Sequence, residues 1–286
     1  MPPRTVLVTG CSAGGIGAAI ALALSKRSHH VFVTARTVYK IPSDLSGLAN
    51  VSVLPLDVTS SESVAEAAQA VSASGHGLDV LINNAGAGYA MPVLDVDITK
   101  AQKLYDVNVW GPIRMVQGFS DLLIASRGRI VNMSTVGAIL NTPWISTYSS
   151  SKAALTNFSE TMRLELAPFG VTVVTVMVGV VDSHFHDNDR DFALPPASRY
   201  TPIEEIIAGW ASGMSKPKGC TAVEFAESLI DDVIISGQSS MTYKGPHAGS
   251  MKLISKWAPQ SFADATLSYN QGLKELAENT RKGTSQ

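Results

Sequence analysis

VLVTGCSAGGIG, residues 6 to 17, runs from an aliphatic strand-like segment through Gly10, Gly14, Gly15 and Gly17 into a helix-forming stretch beginning at Ile16. Glycines at such a junction permit a tight turn and a close backbone approach, and the unpaired amides at a helix start attract phosphate. An ordinary strand-to-helix turn carries similar glycines, so the surrounding pattern has to decide between a structural turn and a pyrophosphate cradle.

Outward from that turn, short β-rich runs alternate with longer helical stretches. The strands are TVLVT, VFVTAR, VSVLPLDV, LDVLINNAG, GRIVNMST and VTVVTVMV; the helices run from Ile16 to Ser28, Glu62 to Ser72, Lys100 to Ile124, and from about Tyr148 toward Pro168. This alternation predicts an α/β fold, a Rossmann-type doubly wound parallel sheet with helices on both faces, as one domain over 1–286. The polar, proline-containing stretch from Ser183 to Pro217 breaks the pattern and is expected to form a substrate loop beside the crevice. A helix from Ala222 to Ile235, a strand in SSMTY and a mainly helical tail from Ser250 onward complete the reading.

A chain of 286 residues, 45% hydrophobic, can bury a sizeable core. Its net charge of -2, with no basic run, argues against a nucleic-acid partner. Cys11 and Cys220 lie far apart, without metal-ligand spacing or a disulfide framework, and the histidines show no metal spacing, so no metal is expected. The amino terminus enters a strand directly and no apolar run is long enough to span a bilayer, so the expectation is a soluble, cytoplasmic protein. The tail MKLISKWAPQSFADATLSY interleaves aromatic residues with Lys252 and Lys256; it suits packing against the core or a second subunit, with peripheral membrane contact as the other reading.

Cofactor choice is read where the second strand ends, because an acidic side chain there would hold ribose hydroxyls and a basic one a 2′-phosphate. Arg36 and Thr37 occupy that place, without Asp or Glu. Arg36, assisted by Ser12 or Thr37, therefore favours NADP(H). Farther on, Tyr148 and Lys152 stand one helical turn apart, so the ammonium is expected to reach the phenol and favour its ionised form. Ser134, upstream at a strand end, would add a hydroxyl to hold a carbonyl oxygen.

Taken in order, these motifs resemble the short-chain dehydrogenase/reductase family over about Thr5 to Ser183. TGCSAGGIG is similar to its TGxxxGIG turn, with Ile16 at the helix start. Asp57, followed by Val58, resembles its adenine-contacting acid, and Asn84, Ala85 and Gly86 lie in its NNAG motif. The resemblance implies a catalytic tetrad of Asn108, Ser134, Tyr148 and Lys152, with Asn108 supporting a water linked to Lys152. It also implies cofactor contacts from Gly179, Val181 and Ser183, and substrate contacts from Trp144 and Ile145 beside Ser134 and Tyr148; Phe185 and His186, in the substrate loop, are expected to touch the substrate as well.

The GCS-x-GGIG turn is similar to that of fungal NADPH-dependent 1-acyldihydroxyacetone-phosphate reductase-like enzymes and secondary-metabolite ketoreductases. That subgroup implies reduction of a ketone carrying a lipid-like or other bulky group. An NADP-dependent alcohol or steroid dehydrogenase working in the oxidative direction, and a non-catalytic NADP(H)-binding protein, are the alternatives. A homo-oligomer, dimer or tetramer, is implied through the helix that carries Tyr148. Two departures stand out. The turn is one residue longer than the commonest spacing, leaving Gly14 and Gly15 both open as the pyrophosphate neighbour, and Val178 replaces the family's proline, which is expected to loosen the turn after the sixth strand.

Overall fold

A computed structural model describes residues 2–185, 192–230 and 240–284. Its strands are β1 (Thr5–Val8), β2 (His30–Ala35), β3 (Val51–Pro55), β4 (Val80–Asn83), β5 (Arg129–Thr135), β6 (Thr172–Val178), β7 (Val181–Asp182), β8 (Cys220–Thr221) and β9 (Thr242–Lys244). Seven of them form one sheet in the order β3-β2-β1-β4-β5-β6-β9, every neighbouring pair parallel, while β7 pairs with β8. The chain leaves β1 in one direction to build β2 and β3, then crosses to β4. A crevice opens at that switch, outside the carboxyl ends of the strands.

The helices are α1 (Ile16–Ser25), α2 (Ser43–Ser46), α3 (Ser61–Ala73), α4 (Ile98–Tyr105), α5 (Gly111–Gly118), α6 (Ser120–Ser126), α7 (Ser146–Glu165), α8 (Glu204–Ala211), α9 (Ala222–Leu229), α10 (Ala248–Trp257), α11 (Gln260–Leu267) and α12 (Leu273–Thr284). Period-two alternation along the strands divides the core. Val6, Val8, Val31, Val33, Val80 and Ile82 pack with α1 and α9. Leu7, Phe32 and Leu81 pack on the opposite face with α3, α5 and Met162 of α7. Residues buried on both sides make each strand an almost unbroken aliphatic run, as parallel sheets require.

The helix expected over Lys100 to Ile124 is broken. A π-helical turn, Asp106–Trp110, separates α4 from α5, and Phe119 separates α5 from α6. The wider turn carries Asn108 inward, where its Oδ1 accepts the Ala87 N–H at 2.9 Å and its Nδ2 donates to the Ala87 carbonyl at 3.0 Å. A local propensity reading cannot foresee a turn widened to satisfy a distant loop.

The tail is helical as expected and part of it docks on the core. Trp144, held at a φ of 69°, donates its indole N–H to the Gln271 carbonyl at 3.1 Å and packs with Leu194, Ile203, Ile207 and Leu276. Leu253 and Trp257 of α10 stay exposed. Among the described residues no helix is long and apolar enough to cross a membrane.

Candidate active site

The glycine-rich turn is fastened to β4 by side-chain bonds. Asn84 Nδ2 donates to the carbonyls of Thr9 at 2.9 Å and Gly10 at 3.2 Å, and Thr9 Oγ1 accepts the backbone N–H groups of Asn84 at 3.0 Å and Ala85 at 2.9 Å. Close approach explains the glycines. A Cβ on Gly17 would lie 2.5 Å from Asn84 Nδ2 and from the Gly10 carbonyl, and Gly10, at a φ of 75°, would meet Ala85 Cα at 2.9 Å. Helix α1 follows an N-cap, Gly15, that carries no side-chain cap and whose own N–H goes to the Ser12 carbonyl at 3.1 Å, so the amides from Ile16 onward are available to an anion. Between the two candidate glycines, Gly15 lines the cavity; Gly14 lies under the His184 imidazole and its carbonyl accepts the His184 N–H at 3.2 Å.

A cavity of about 830 Å³ runs along the carboxyl edge of the sheet. One end is lined by Ser12, Arg36, Thr37 and Val58, its floor by Gly10, Gly15, Ile16, Asn84, Ala85 and Gly86, and its other end by Ser134, Ile145, Tyr148, Lys152 and Phe185. Gly179, Val181 and Ser183 border it from the turn after β6. That turn is not loosened by Val178. Gly179 N–H donates to the Lys244 carbonyl at 2.9 Å and Val180 N–H to the Pro246 carbonyl at 3.0 Å, so β9 and the residues after it hold what proline would have stiffened. Lys216 adds a tie, pairing with Asp182 at 2.7 Å and donating to the Val181 carbonyl at 3.2 Å.

Five of the expected residues lie off the cavity surface: Gly14, Gly17, Asp57, Asn108 and Trp144. Asp57 Oδ1 accepts from the Thr59 N–H at 2.9 Å and the Thr59 hydroxyl at 2.8 Å, which closes a turn. The expectation for His186 lies outside the described residues.

Two expectations about the tetrad need correction. Ser134, at the cavity wall, turns its hydroxyl toward α7, where it bonds Thr156 Oγ1 at 2.7 Å and donates to the Lys152 carbonyl at 3.2 Å. The next residue, Thr135, is the one close enough to the Tyr148 phenol to draw its acidity down, while its hydroxyl donates to the Val178 carbonyl at 3.3 Å. Alternation along β5 is the cause. Asn132 shares the Ser134 face and is likewise buried against α7, through Ser159 at 2.8 Å, so the neighbouring position is the one that turns to the phenol. That shared face was the signal in the sequence that Ser134 belongs to the β5–α7 seam.

The second correction concerns Tyr148 and Lys152. Lys152 Nζ donates to the Met133 carbonyl at 2.9 Å, and burial, not Tyr148, is what moves its acidity. Burial pushes the Tyr148 phenol up to about 12, with the Thr135 hydrogen bond pulling the other way. Burial pushes the Lys152 ammonium down to about 8. Helical spacing puts the two residues on one face, but the flexible lysine stem takes the nearest good acceptor, and desolvation outweighs their expected mutual effect. The Asn108 side chain is fully engaged by Ala87 and by Ser151 Oγ at 3.0 Å, so it fixes the loop after β4. A Cβ on Gly86 would be 3.3 Å from both Asn108 Oδ1 and Lys152 Nζ, which shows how tightly loop, amide and ammonium are assembled.

Thr135, Lys40 and Trp210 are among the cavity-lining residues that sequence reasoning passed over. The Trp210 indole nitrogen is buried and has no hydrogen-bond partner among the described residues. Its place in a degraded, proline-containing stretch left no periodic signal.

The chain matches the short chain dehydrogenase family over residues 4–193. It is 45% identical over 249 residues to a short-chain dehydrogenase of Penicillium crustosum, covering 87% of this chain and 90% of that protein. It is 37% identical over 246 residues to the NADPH-dependent 1-acyldihydroxyacetone phosphate reductase of Schizosaccharomyces pombe, covering 84% of this chain and 82% of that one. Among solved structures, a short chain dehydrogenase from Burkholderia cenocepacia in complex with NADP superposes with a TM-score of 0.73 at 27% identity, covering 93% of this chain and 97% of its own.

Proposed function

The chain belongs to the short-chain dehydrogenase family, and from that footing we propose that it is an NADP(H)-dependent reductase converting a bulky, largely apolar ketone to a secondary alcohol. The observation that carries this reading is the continuity of one cavity from Arg36 to Tyr148. A basic residue for a 2′-phosphate and a phenol for a carbonyl oxygen are thereby joined by a glycine-floored groove with free helix amides. The named relatives are consistent with this choice of cofactor.

The residues fit the dinucleotide sterically as well as chemically. The Gly10 and Gly17 contacts bring the backbone close to β4, which opens the floor, and among the described residues no carboxylate lines the Arg36 end. Arg36 would hold the 2′-phosphate, the amides from Ile16 onward the pyrophosphate, Val181 and Ser183 the carboxamide, and Lys152 the nicotinamide ribose. The bound reduced nicotinamide supplies a hydride for the carbonyl carbon.

This chain supplies the proton and the electrostatics. Tyr148 gives its phenolic proton to the carbonyl oxygen as negative charge develops there, and a phenol pushed up to about 12 is held in the protonated state that reduction needs. Thr135 turns its hydroxyl from the long bond to the Val178 carbonyl to donate to the same oxygen. Asn108 is a positioning residue that secures the Ala87 loop. Ile145, Phe185 and Trp210 would receive the apolar part of the substrate, with the Trp210 N–H available to a second oxygen.

A panel of bulky aliphatic and aromatic ketones assayed with NADPH and NADH tests the proposal. Turnover is expected with NADPH and much less with NADH; absence of turnover across the panel would overturn it. The pH profile is a separate check. Lys152 is charged below about 8 and neutral above, so kcat/KM for NADPH, which reports the free enzyme, is expected to fall as pH rises through about 8. A flat profile to well above that value would remove Lys152 from the proposed role.

A further inference from the structure

Beyond Arg36 the chain makes a 3-10 turn, Val38–Lys40, that returns Lys40 to the Arg36 end of the cavity. The turn is fixed by its backbone. Lys40 N–H donates to the Thr37 carbonyl at 3.0 Å, Ile41 N–H to the Val38 carbonyl at 3.0 Å, and the Lys40 carbonyl accepts the Ala13 N–H at 2.8 Å. Ile41, only 6% exposed, pins the turn to the core. Ser12 and Thr37 bring hydroxyls to the same cavity end. Among the described residues neither Arg36 nor Lys40 enters an ion pair. Two cations, two hydroxyls and no carboxylate on one cavity wall make a site for a doubly charged anion.

We propose that Lys40 is a second reader of the 2′-phosphate and that its backbone bond to Ala13 couples that contact to the pyrophosphate turn. The inference rests on the NADP(H) reading above. A phosphate monoester carries roughly -1.5 to -2 at neutral pH, more than a single guanidinium offsets. Arg36 offers a flat fork for bidentate bonds, and Lys40 adds a compact charge from a different direction. Both are exposed, so the contribution weakens as salt screens it.

Isothermal titration of wild type, Lys40→Ala, Lys40→Arg and Arg36→Ala with 2′,5′-ADP and with 5′-AMP tests it without turnover. Lys40→Ala is expected to weaken 2′,5′-ADP about ten-fold at low salt, leave 5′-AMP unchanged, and show a smaller defect at high salt; Lys40→Arg should recover most of the affinity. If Lys40→Ala binds 2′,5′-ADP like wild type while Arg36→Ala does not, the Lys40 proposal falls and the NADP(H) reading survives. Equal weakening of both ligands would instead assign Lys40 to the fold of the turn and also overturn the proposal. A wild type that binds the two ligands alike would sink the NADP(H) reading itself.

Discussion

Tyr148→Phe is expected to lower kcat for ketone reduction by about a thousand-fold while leaving NADPH affinity within a few-fold of wild type. The substitution removes one oxygen and keeps the ring, whose 5.5 Å centroid contact with Phe185 does not depend on the hydroxyl. The lost hydrogen bond is the one to Thr135, and the hydroxyl itself is desolvated, so folding stability should change little. What disappears is the phenolic proton donor that lines the cavity beside Ser134 and Lys152. Stopped-flow measurement of the chemical step, with cofactor binding followed by fluorescence, separates the two quantities. Activity within a few-fold of wild type would reject Tyr148 as the acid.

Thr135→Val should lower kcat by about a hundred-fold, in the range observed when one donor to a developing oxyanion is removed. Ser134→Ala, one residue away, should leave kcat within a few-fold. The contrast follows from where the hydroxyls point. Thr135 Oγ1 lies beside the phenol, donates to the Val178 carbonyl at 3.3 Å and accepts the Gly137 N–H at 3.2 Å, so valine carries a modest stability penalty of about 1 kcal/mol besides its catalytic one. Ser134 Oγ sits within the seam formed with Thr156 and the Lys152 carbonyl; its removal costs about 1 kcal/mol of stability, and Thr156 keeps its own 2.8 Å bond to that carbonyl. Thr135→Ser should restore most of the rate. The opposite pattern, with Ser134→Ala inactive and Thr135→Val active, would return the catalytic hydroxyl to Ser134.

The expectations that failed share a cause. The alternation of strands and helices, the glycine turn, the basic residue ending β2 and the Tyr148–Lys152 pair were each legible because they lie within one local segment. The π-turn at Asp106–Trp110 was not, since it exists to carry Asn108 to Ala87. Lys40 was passed over for a related reason. Nothing at residue 40 announces a ligand until the Ala13 N–H to Lys40 carbonyl bond folds that turn back onto the cavity.

Local pattern alone therefore determined the class of sheet, the place of the crevice and the kind of chemistry, because side-chain periodicity and turn stereochemistry act over a few neighbouring residues. Tertiary packing decided which of two adjacent hydroxyls meets Tyr148, and where the Lys152 ammonium goes. A shift of one residue along a strand exchanges its faces, so the choice between Ser134 and Thr135 depends on how α7 lies over β5. The direction of the lysine depends on an acceptor, Met133, that sequence spacing does not name. Desolvation, which moves the acidity of Tyr148 and Lys152 in opposite directions, comes into being only when both elements are packed together.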